Sequence, residues 1–199
     1  YNDTTMSSPK EQSAGYSYGD YKTWGDDERW ELIDGVAFSM SPAPTPRHQG
    51  TLGVLFRRMA EIADGIGCRT FVAPLDVRLP DYPEQSDDDV STVVQPDITV
   101  FCDQTKIDDR GAHAAPELAV EILSPSTGYK DQSSKLALYE RHGVGEYWVV
   151  NVDAAWVMVY RLGKDGSYDK PDYYRRNELV RSDVLGGAET ATNDFLETG

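Results

Sequence analysis

The chain lacks the features that mark several large classes of protein. It has two cysteines in 199 residues, Cys68 and Cys102, and neither belongs to a CxxC pair or a Cys/His cluster. We therefore expect two isolated, buried thiols in a reducing cytoplasm. No apolar run approaches the roughly 20 residues that a membrane-spanning helix needs, and residues 1–18 are polar, without the apolar segment of a signal peptide. These absences favour a cytoplasmic protein with no membrane partner.

Positive charge is also scarce. The chain has 19 Lys and Arg against 34 Asp and Glu, a net charge of −15. Proteins that hold nucleic acid by bulk electrostatics need a basic surface, so any activity on nucleic acid must depend on local cations, on a metal or on an unusual substrate. The sequence contains no Gly-rich phosphate loop, no G-x-S-x-G elbow and no Walker motif.

What is present predicts one α/β domain. A hydrophobic content of 39% over 199 residues is enough for a single core. We place the domain at residues 20–185, between a disordered arm at 1–19 and a polar tail at 186–199. A hairpin around Asp34-Gly35 precedes an amphipathic helix over 46–63.

The second half of the chain predicts more strands around one further helix. Strands over 93–101 and 117–123 come before a helix over 131–142, and three more strands then close the domain. This order of elements indicates an α/β sandwich with a mixed sheet.

Two of the apolar, β-branched strands each carry a carboxylate. Asp97 follows Pro96 in the first, and Glu121 lies in the second. A carboxylate inside a buried strand is costly unless a cation binds it, and the spacing fits neighbouring strands that present both acids to one divalent metal. Oxygen ligands without Cys or paired His favour Mg²⁺ or Mn²⁺. The structural alternatives are an Asp97 that ends a strand and a Glu121 paired with a buried Arg.

Three further side chains are candidates for the same site. Lys135 lies on the helix after the second strand and could stabilise charge on a metal-bound phosphate; the alternative is a solvated lysine. Glu31 in the hairpin could bind metal or contact an acid, or form a hairpin salt bridge. His48 could contact the scissile phosphate, or be a satisfied core residue on the apolar face of its helix.

These residues resemble a known nuclease superfamily. Pro96-Asp97 and Glu121-Ile122-Leu123 resemble the PD-(D/E)XK motif, with Leu123 where that motif has its lysine. A wider pattern over roughly residues 18–185 is similar to the Uma2 family, also called DUF820, of restriction-endonuclease-like proteins. It comprises WELIDG at 30–35, the helix that opens at His48, QPDI at 95–98, VEILSPST at 120–127, KLALY at 135–139 and GVGEYWVV at 143–150.

The resemblance implies a fold, a reaction and a set of site residues. The fold is restriction-endonuclease-like, with a central mixed β-sheet flanked by helices. The reaction is metal-dependent hydrolysis of phosphodiester bonds, with DNA as the expected nucleic-acid substrate. Asp97 and Glu121 are the expected ligands of Mg²⁺ or Mn²⁺, with the main-chain carbonyl of Ile122 as a further ligand, and Lys135 replaces the lysine missing at Leu123.

A second hypothesis is a non-catalytic interaction or regulatory module that keeps this fold. The net charge of −15, the lack of a basic stretch and the displaced lysine favour it. Under either hypothesis the chain could form a homodimer. Aromatic residues of the closing strands could form its interface or could belong to the core; they are Tyr147, Trp148, Trp156, Tyr160, Tyr173 and Tyr174.

Overall fold

The structure, a computed structural model, describes residues 15–25, 29–40, 44–123 and 129–197, with side chains in the last range from Ser134 onward. Its helices are α1 (Tyr18–Tyr21), α2 (Pro46–Gly65), α3 (Tyr129–Arg141) and α4 (Thr192–Leu196). The first eight strands are β1 (Trp30–Ile33), β2 (Val36–Ser39), β3 (Arg69–Val72), β4 (Val77–Arg78), β5 (Val93–Val94), β6 (Ile98–Phe101), β7 (Ile107–Asp108) and β8 (Gly111–Ala112). The others are β9 (Leu118–Leu123), β10 (Glu146–Asn151), β11 (Trp156–Arg161), β12 (Asp172–Arg175), β13 (Leu179–Ser182) and β14 (Ala188–Ala191).

A six-stranded mixed sheet forms the centre of the fold. Its order is β12-β11-β10-β9-β6-β3, and its β9–β10 pair is parallel. A second sheet of short strands has the order β2-β1-β5-β4-β8-β7, and β13 pairs with β14. The α/β fold with a mixed sheet and flanking helices is therefore confirmed.

The two faces of the central sheet pack against different elements. One face packs on α2 and α4 through a cluster that includes Leu55, Val120 and Phe195. The other face packs on α3 and the smaller sheet through a cluster that includes Tyr139 and Val149. Side chains alternate along a strand, so residues of β9 point in turn to each of these layers.

The predicted hairpin and the predicted start of the first long helix are both present in the structure. β1 and β2 pair around Asp34-Gly35, both with positive φ, as a tight hairpin turn requires. Thr45 caps α2 by accepting a hydrogen bond from the main-chain N–H of His48 at 3.2 Å, and Pro46 occupies the first helical position. These signals set the turn of the hairpin and the residue at which α2 begins.

The strand expected over 93–101 is two strands in two different sheets. β5 pairs with β1 and β4 in the smaller sheet, whereas β6 pairs with β3 and β9 in the central sheet. Pro96 lies between them and has no N–H for a ladder, so it marks the point where the chain changes sheets. This crossing brings the two sheets together beside Asp97.

Both ends of the domain extend beyond the expected limits. Tyr18 is buried in α1, so the folded part begins before residue 20; residues 1–14 of the expected arm lie outside the described residues. The expected polar tail contains β14 and α4, and Phe195 and Leu196 are fully buried against α2. The tail prediction was wrong, because composition averages over a segment whose few apolar residues complete the core.

The prediction of two free thiols was also wrong. Cys68 and Cys102 form a disulfide that joins the segment after α2 to the end of β6. Their separation of 34 residues gives no local signal of pairing. The pairing follows from the antiparallel register of β3 and β6, which places Arg69 beside Phe101 and brings the two cysteines side by side.

Most aromatic residues of the closing strands belong to the core. Tyr147 and Trp148 are buried, while Tyr173 is 45% exposed on the edge strand β12. The homodimer stays a prediction. Among the described residues, no helix combines the length and apolar character needed to cross a membrane.

Candidate active site

The end of β9 is where Asp97 meets the central sheet. β6 and β9 are antiparallel, with Ile98 beside Val120, so one further step of this register places Asp97 beside Glu121. Directly opposed residues have Cβ atoms about 4.5–5.5 Å apart. The Oδ2 atom of Asp97 accepts a hydrogen bond from the main-chain N–H of Ile122 at 2.7 Å. Asp97 is therefore fixed by the strand that carries Glu121.

Glu121 points from β9 towards α3. Its Oε1 accepts hydrogen bonds from the Lys135 ammonium at 2.8 Å and the Tyr139 hydroxyl at 2.7 Å. Burial raises the pKa of Glu121 to about 7; the neighbouring Asp97 and Glu31 carboxylates add to this rise, and the Lys135 charge opposes it. Glu121 is thus held in place while its charge is only partly compensated.

Lys135 lies between two carboxylates. Its Nζ is 2.9 Å from Glu31 Oε1 and 2.8 Å from Glu121 Oε1, and its side chain is 13% exposed. Burial alone would lower the pKa of Lys135, but the two carboxylates outweigh burial and raise it, so the ammonium is charged at neutral pH. Lys135, which lies on α3, therefore reaches the carboxylate of Glu121 on β9.

Glu31 enters the cluster from the smaller sheet. Its side chain is 9% exposed, and its Oε1 accepts the main-chain N–H of Gln95 at 2.9 Å as well as Lys135. The hairpin salt bridge considered for Glu31 is thus a bridge to α3. It ties β1, α3 and the segment after β5 to one point.

His48 faces the strands. Its Nε2 lies 3.1 Å from the main-chain oxygen of Ile122 and 3.4 Å from Asp97 Oδ2, and its buried Nδ1 has no hydrogen-bond partner within the described residues. Burial lowers the pKa of His48, but the hydrogen bond to Asp97 and the charge of Asp97 together outweigh burial, so the pKa of His48 is raised. In this position His48 contacts both Asp97 and the main chain at the end of β9.

The donor chemistry of the cluster fits a divalent cation. Glu31 and Glu121 share the ammonium group of Lys135, and the Asp97 carboxylate lies near Glu121, so the cluster has more carboxylates than ammonium groups. In the described part of the chain, no three His, Cys, Asp or Glu side chains are grouped as metal ligands. Mg²⁺ usually takes one or two carboxylates and keeps several waters, so the pair Asp97 and Glu121 could hold it.

The structure brings all the predicted site residues to one end of the central sheet, and it adds two groups. Tyr139 and the main-chain N–H of Gln95 complete the hydrogen bonds of Glu121 and Glu31. The sequence places Tyr139 one turn after Lys135 on the same helix face, which is a usable signal. No signal marks Gln95, because its role belongs to the backbone. Residues 124–127 of the VEILSPST motif lie outside the described residues.

Comparison with known proteins supports the family and the fold. A family model named Uma2, with the description "putative restriction endonuclease", matches residues 18–193. The chain also resembles the crystal structure of a "putative nuclease belonging to DUF820" from Anabaena variabilis ATCC 29413. The TM-score is 0.73 at 18% identity, and the match covers 92% of this chain and 98% of the other. No curated protein matches. The chain belongs to the Uma2 family.

Proposed function

We propose that the protein is a nuclease that hydrolyses phosphodiester bonds, with DNA as substrate and Mg²⁺ or Mn²⁺ as cofactor. One observation carries the proposal: a buried lysine is hydrogen-bonded to Glu121 at 2.8 Å, and Glu121 adjoins an aspartate fixed to the same strand. Two acids that can bind a metal, together with an amine that can stabilise charge on a phosphate, suit metal-dependent hydrolysis of phosphodiester bonds. It occurs in a chain of the Uma2 family.

The carboxylates and the carbonyl would hold the metal. Asp97 and Glu121 supply anionic oxygens, and Ile122 supplies a main-chain oxygen. Bound there, a divalent ion supplies Lewis-acid polarisation of a phosphate oxygen and lowers the pKa of water. Because the pKa of Glu121 is about 7, binding of a divalent ion to this carboxylate competes with its protonation below neutral pH.

Lys135 would stabilise negative charge on the phosphate. An ammonium group has three N–H donors, and within the described part of the chain two of them are given to Glu31 and Glu121. The third is available for a phosphate oxygen. Because Glu31 and Glu121 keep the ammonium fixed and charged, its interaction with the transition state needs no reorganisation.

Tyr139 and His48 act as positioning residues. The Tyr139 hydroxyl donates a hydrogen bond to Glu121 Oε1 and so helps to fix the orientation of that carboxylate. His48 holds the Ile122 carbonyl and Asp97 in register. These contacts keep the proposed metal ligands in place before substrate binds.

The test is cleavage of nucleic acid by purified protein. Supercoiled plasmid and single-stranded DNA are incubated with Mg²⁺, Mn²⁺ or EDTA, using wild type, Asp97→Ala and Asp169→Ala. Asp169 is exposed and serves as the matched control. We expect metal-dependent cleavage of DNA by wild type and the control only. Activity that survives in EDTA or in Asp97→Ala would contradict the proposed site.

A non-catalytic interaction module is the second candidate, and one observation favours it. The net charge of −15 opposes a polyanionic substrate. This candidate predicts no cleavage with any metal and no heat of Mg²⁺ or Mn²⁺ binding in calorimetry. Metal binding that disappears in Glu121→Ala would favour the enzyme.

A further inference from the structure

An aromatic cavity adjoins the carboxylate cluster. It has a volume of about 260 Å³, near the lower end of the range for small-molecule sites and suited to a small planar group. Four aromatic side chains line it: Tyr18, Tyr21, Trp24 and Trp30. Tyr18 and Trp30 are buried, whereas Tyr21 and Trp24 are only half-buried and present ring surface to the cavity. These two rings lie 5.2 Å apart, centroid to centroid.

Gln95 connects this cavity to the proposed catalytic site. Its main-chain N–H donates to Glu31 at 2.9 Å, so its backbone belongs to the cluster. Its side chain lines the aromatic cavity, and also a second cavity of about 340 Å³ that contains Arg110. Asp76 is shared by both cavities as well. Gln95 therefore lies between the aromatic cavity and the carboxylate cluster.

Asp76 gives the cavity a fixed hydrogen-bond acceptor. Its Oδ1 accepts from the Tyr21 hydroxyl at 2.9 Å and from Gln95 Nε2 at 2.8 Å. Within the described part of the chain it has no cation within salt-bridge distance, and its Oδ2 takes part in neither of these bonds. A carboxylate oxygen in this setting accepts well from the exocyclic amino group of a nucleobase.

Two cations stand at the edge of the same cavity. Lys22 and Arg29 line it, and both residues are exposed. The Arg29 guanidinium donates through Nε to the neutral Oε1 of Gln95 at 3.0 Å, so this hydrogen bond does not cancel its charge. Lys22 pairs with Asp88 at 2.5 Å and contributes less. The cavity thus joins aromatic faces, one acceptor and a rim cation.

We propose that this cavity binds an unpaired nucleobase and that the substrate is single-stranded nucleic acid. This deepens the proposed nuclease function and rests on it. The base stacks on Trp24 and Tyr21, its amino group donates to Asp76, and Arg29 contacts the adjoining phosphate. Stacking on aromatic rings depends little on net charge, which is how a chain with a net charge of −15 can retain a polyanion. Duplex DNA, with its bases paired and stacked, has no free base to offer.

The test is binding without catalysis. The affinity of wild type for fluorescein-labelled oligo(dC), oligo(dT), oligo(rC) and a matched duplex is measured by anisotropy in EDTA. Wild type should prefer oligo(dC) or oligo(rC) over both oligo(dT) and the duplex, and the DNA and RNA arms decide which sugar is bound. Trp24→Ala should weaken single-strand binding by about tenfold, with recovery in Trp24→Phe.

Arg29→Gln provides a second variant at an exposed position, with Arg57→Gln on the exposed face of α2 as its matched control. For oligo(dC), Arg29→Gln should reduce the slope of log affinity against log salt by about 0.7 and the control should not. Unchanged single-strand affinity in both Trp24→Ala and Arg29→Gln, or a preference for duplex, would overturn the inference. Failure of metal-dependent cleavage with this binding intact would instead count against the nuclease proposal alone.

Discussion

The Glu121 carboxyl should make the stability of the metal-free protein depend on pH. Burial, with the nearby Asp97 and Glu31 carboxylates, raises the pKa of Glu121 from 4.5 to about 7 in the folded state, despite the opposing charge of Lys135. In the unfolded chain the group returns to its ordinary value. Replacement by Gln keeps the shape of the side chain and removes its ionisation.

The sign follows from proton binding. Between pH 4.5 and about 7 the folded state binds more protons at this residue than the unfolded state does, so the free energy of unfolding falls as pH rises. Each pKa unit corresponds to about 1.4 kcal/mol, which gives a loss of about 3 kcal/mol across the window. The loss is complete above pH 7, where Glu121 is ionised in both states.

The assay is urea denaturation in EDTA at pH values from 4.5 to 8, for wild type and Glu121→Gln. The difference between their unfolding free energies should change by about 3 kcal/mol across this range. Glu146, another buried carboxyl with a raised pKa, is present in both proteins and cancels in the comparison. Adding Mg²⁺ at pH 7.5 should stabilise wild type only, because a bound ion favours the ionised carboxylate.

Parallel pH profiles for the two proteins would refute this reasoning. They would mean that Glu121 has the same pKa in the folded and unfolded states. The buried cluster would then not raise the pKa of this carboxyl. A Glu146→Gln variant, which removes a carboxyl that accepts from Trp148 at 2.6 Å, should instead leave the Mg²⁺ response intact.

Three further perturbations test other parts of the structure. Lys135→Met leaves Glu31 and Glu121 buried without their cation, so urea denaturation in EDTA at pH 7.5 should show a loss of about 3–5 kcal/mol, and equal stability would contradict the bridge. Reduction of the disulfide between Cys68 and Cys102 should lower unfolding free energy by about 4 kcal/mol, and a thiol assay of unreduced, denatured protein should find no free thiol. Phe195→Ala should cost about 3–5 kcal/mol by the same denaturation assay, whereas Glu197→Ala, at the exposed position just after α4, should cost little.

Local rules explain which elements the sequence predicts. The Asp34-Gly35 turn and the Thr45-Pro46 cap each act over a few residues, through backbone conformation and one hydrogen bond. The apolar, β-branched run around Glu121 marks the strand that becomes β9. The carboxylate within that run marks a special position, because a buried carboxylate is costly unless it is paired. These features need no knowledge of the rest of the chain.

Long-range packing explains what the sequence does not predict. The run 93–101 is continuous in composition, yet Pro96 divides it between two sheets. Phe195 lies in a polar segment, and it belongs to the core only because α4 packs against α2. The disulfide likewise depends on strand register over 34 residues.

By itself, the sequence determined the family, the α/β class and the candidate acids and lysine of the site, because these are written in short motifs and in hydrophobic periodicity. Only the tertiary structure decided that Lys135 lies between Glu31 and Glu121, that His48 turns inward to Ile122, and that aromatic surface adjoins the cluster at Gln95. Each of these contacts joins elements far apart in the chain. Their geometry is set by how the smaller sheet and the helices pack against the central sheet, which no local pattern encodes.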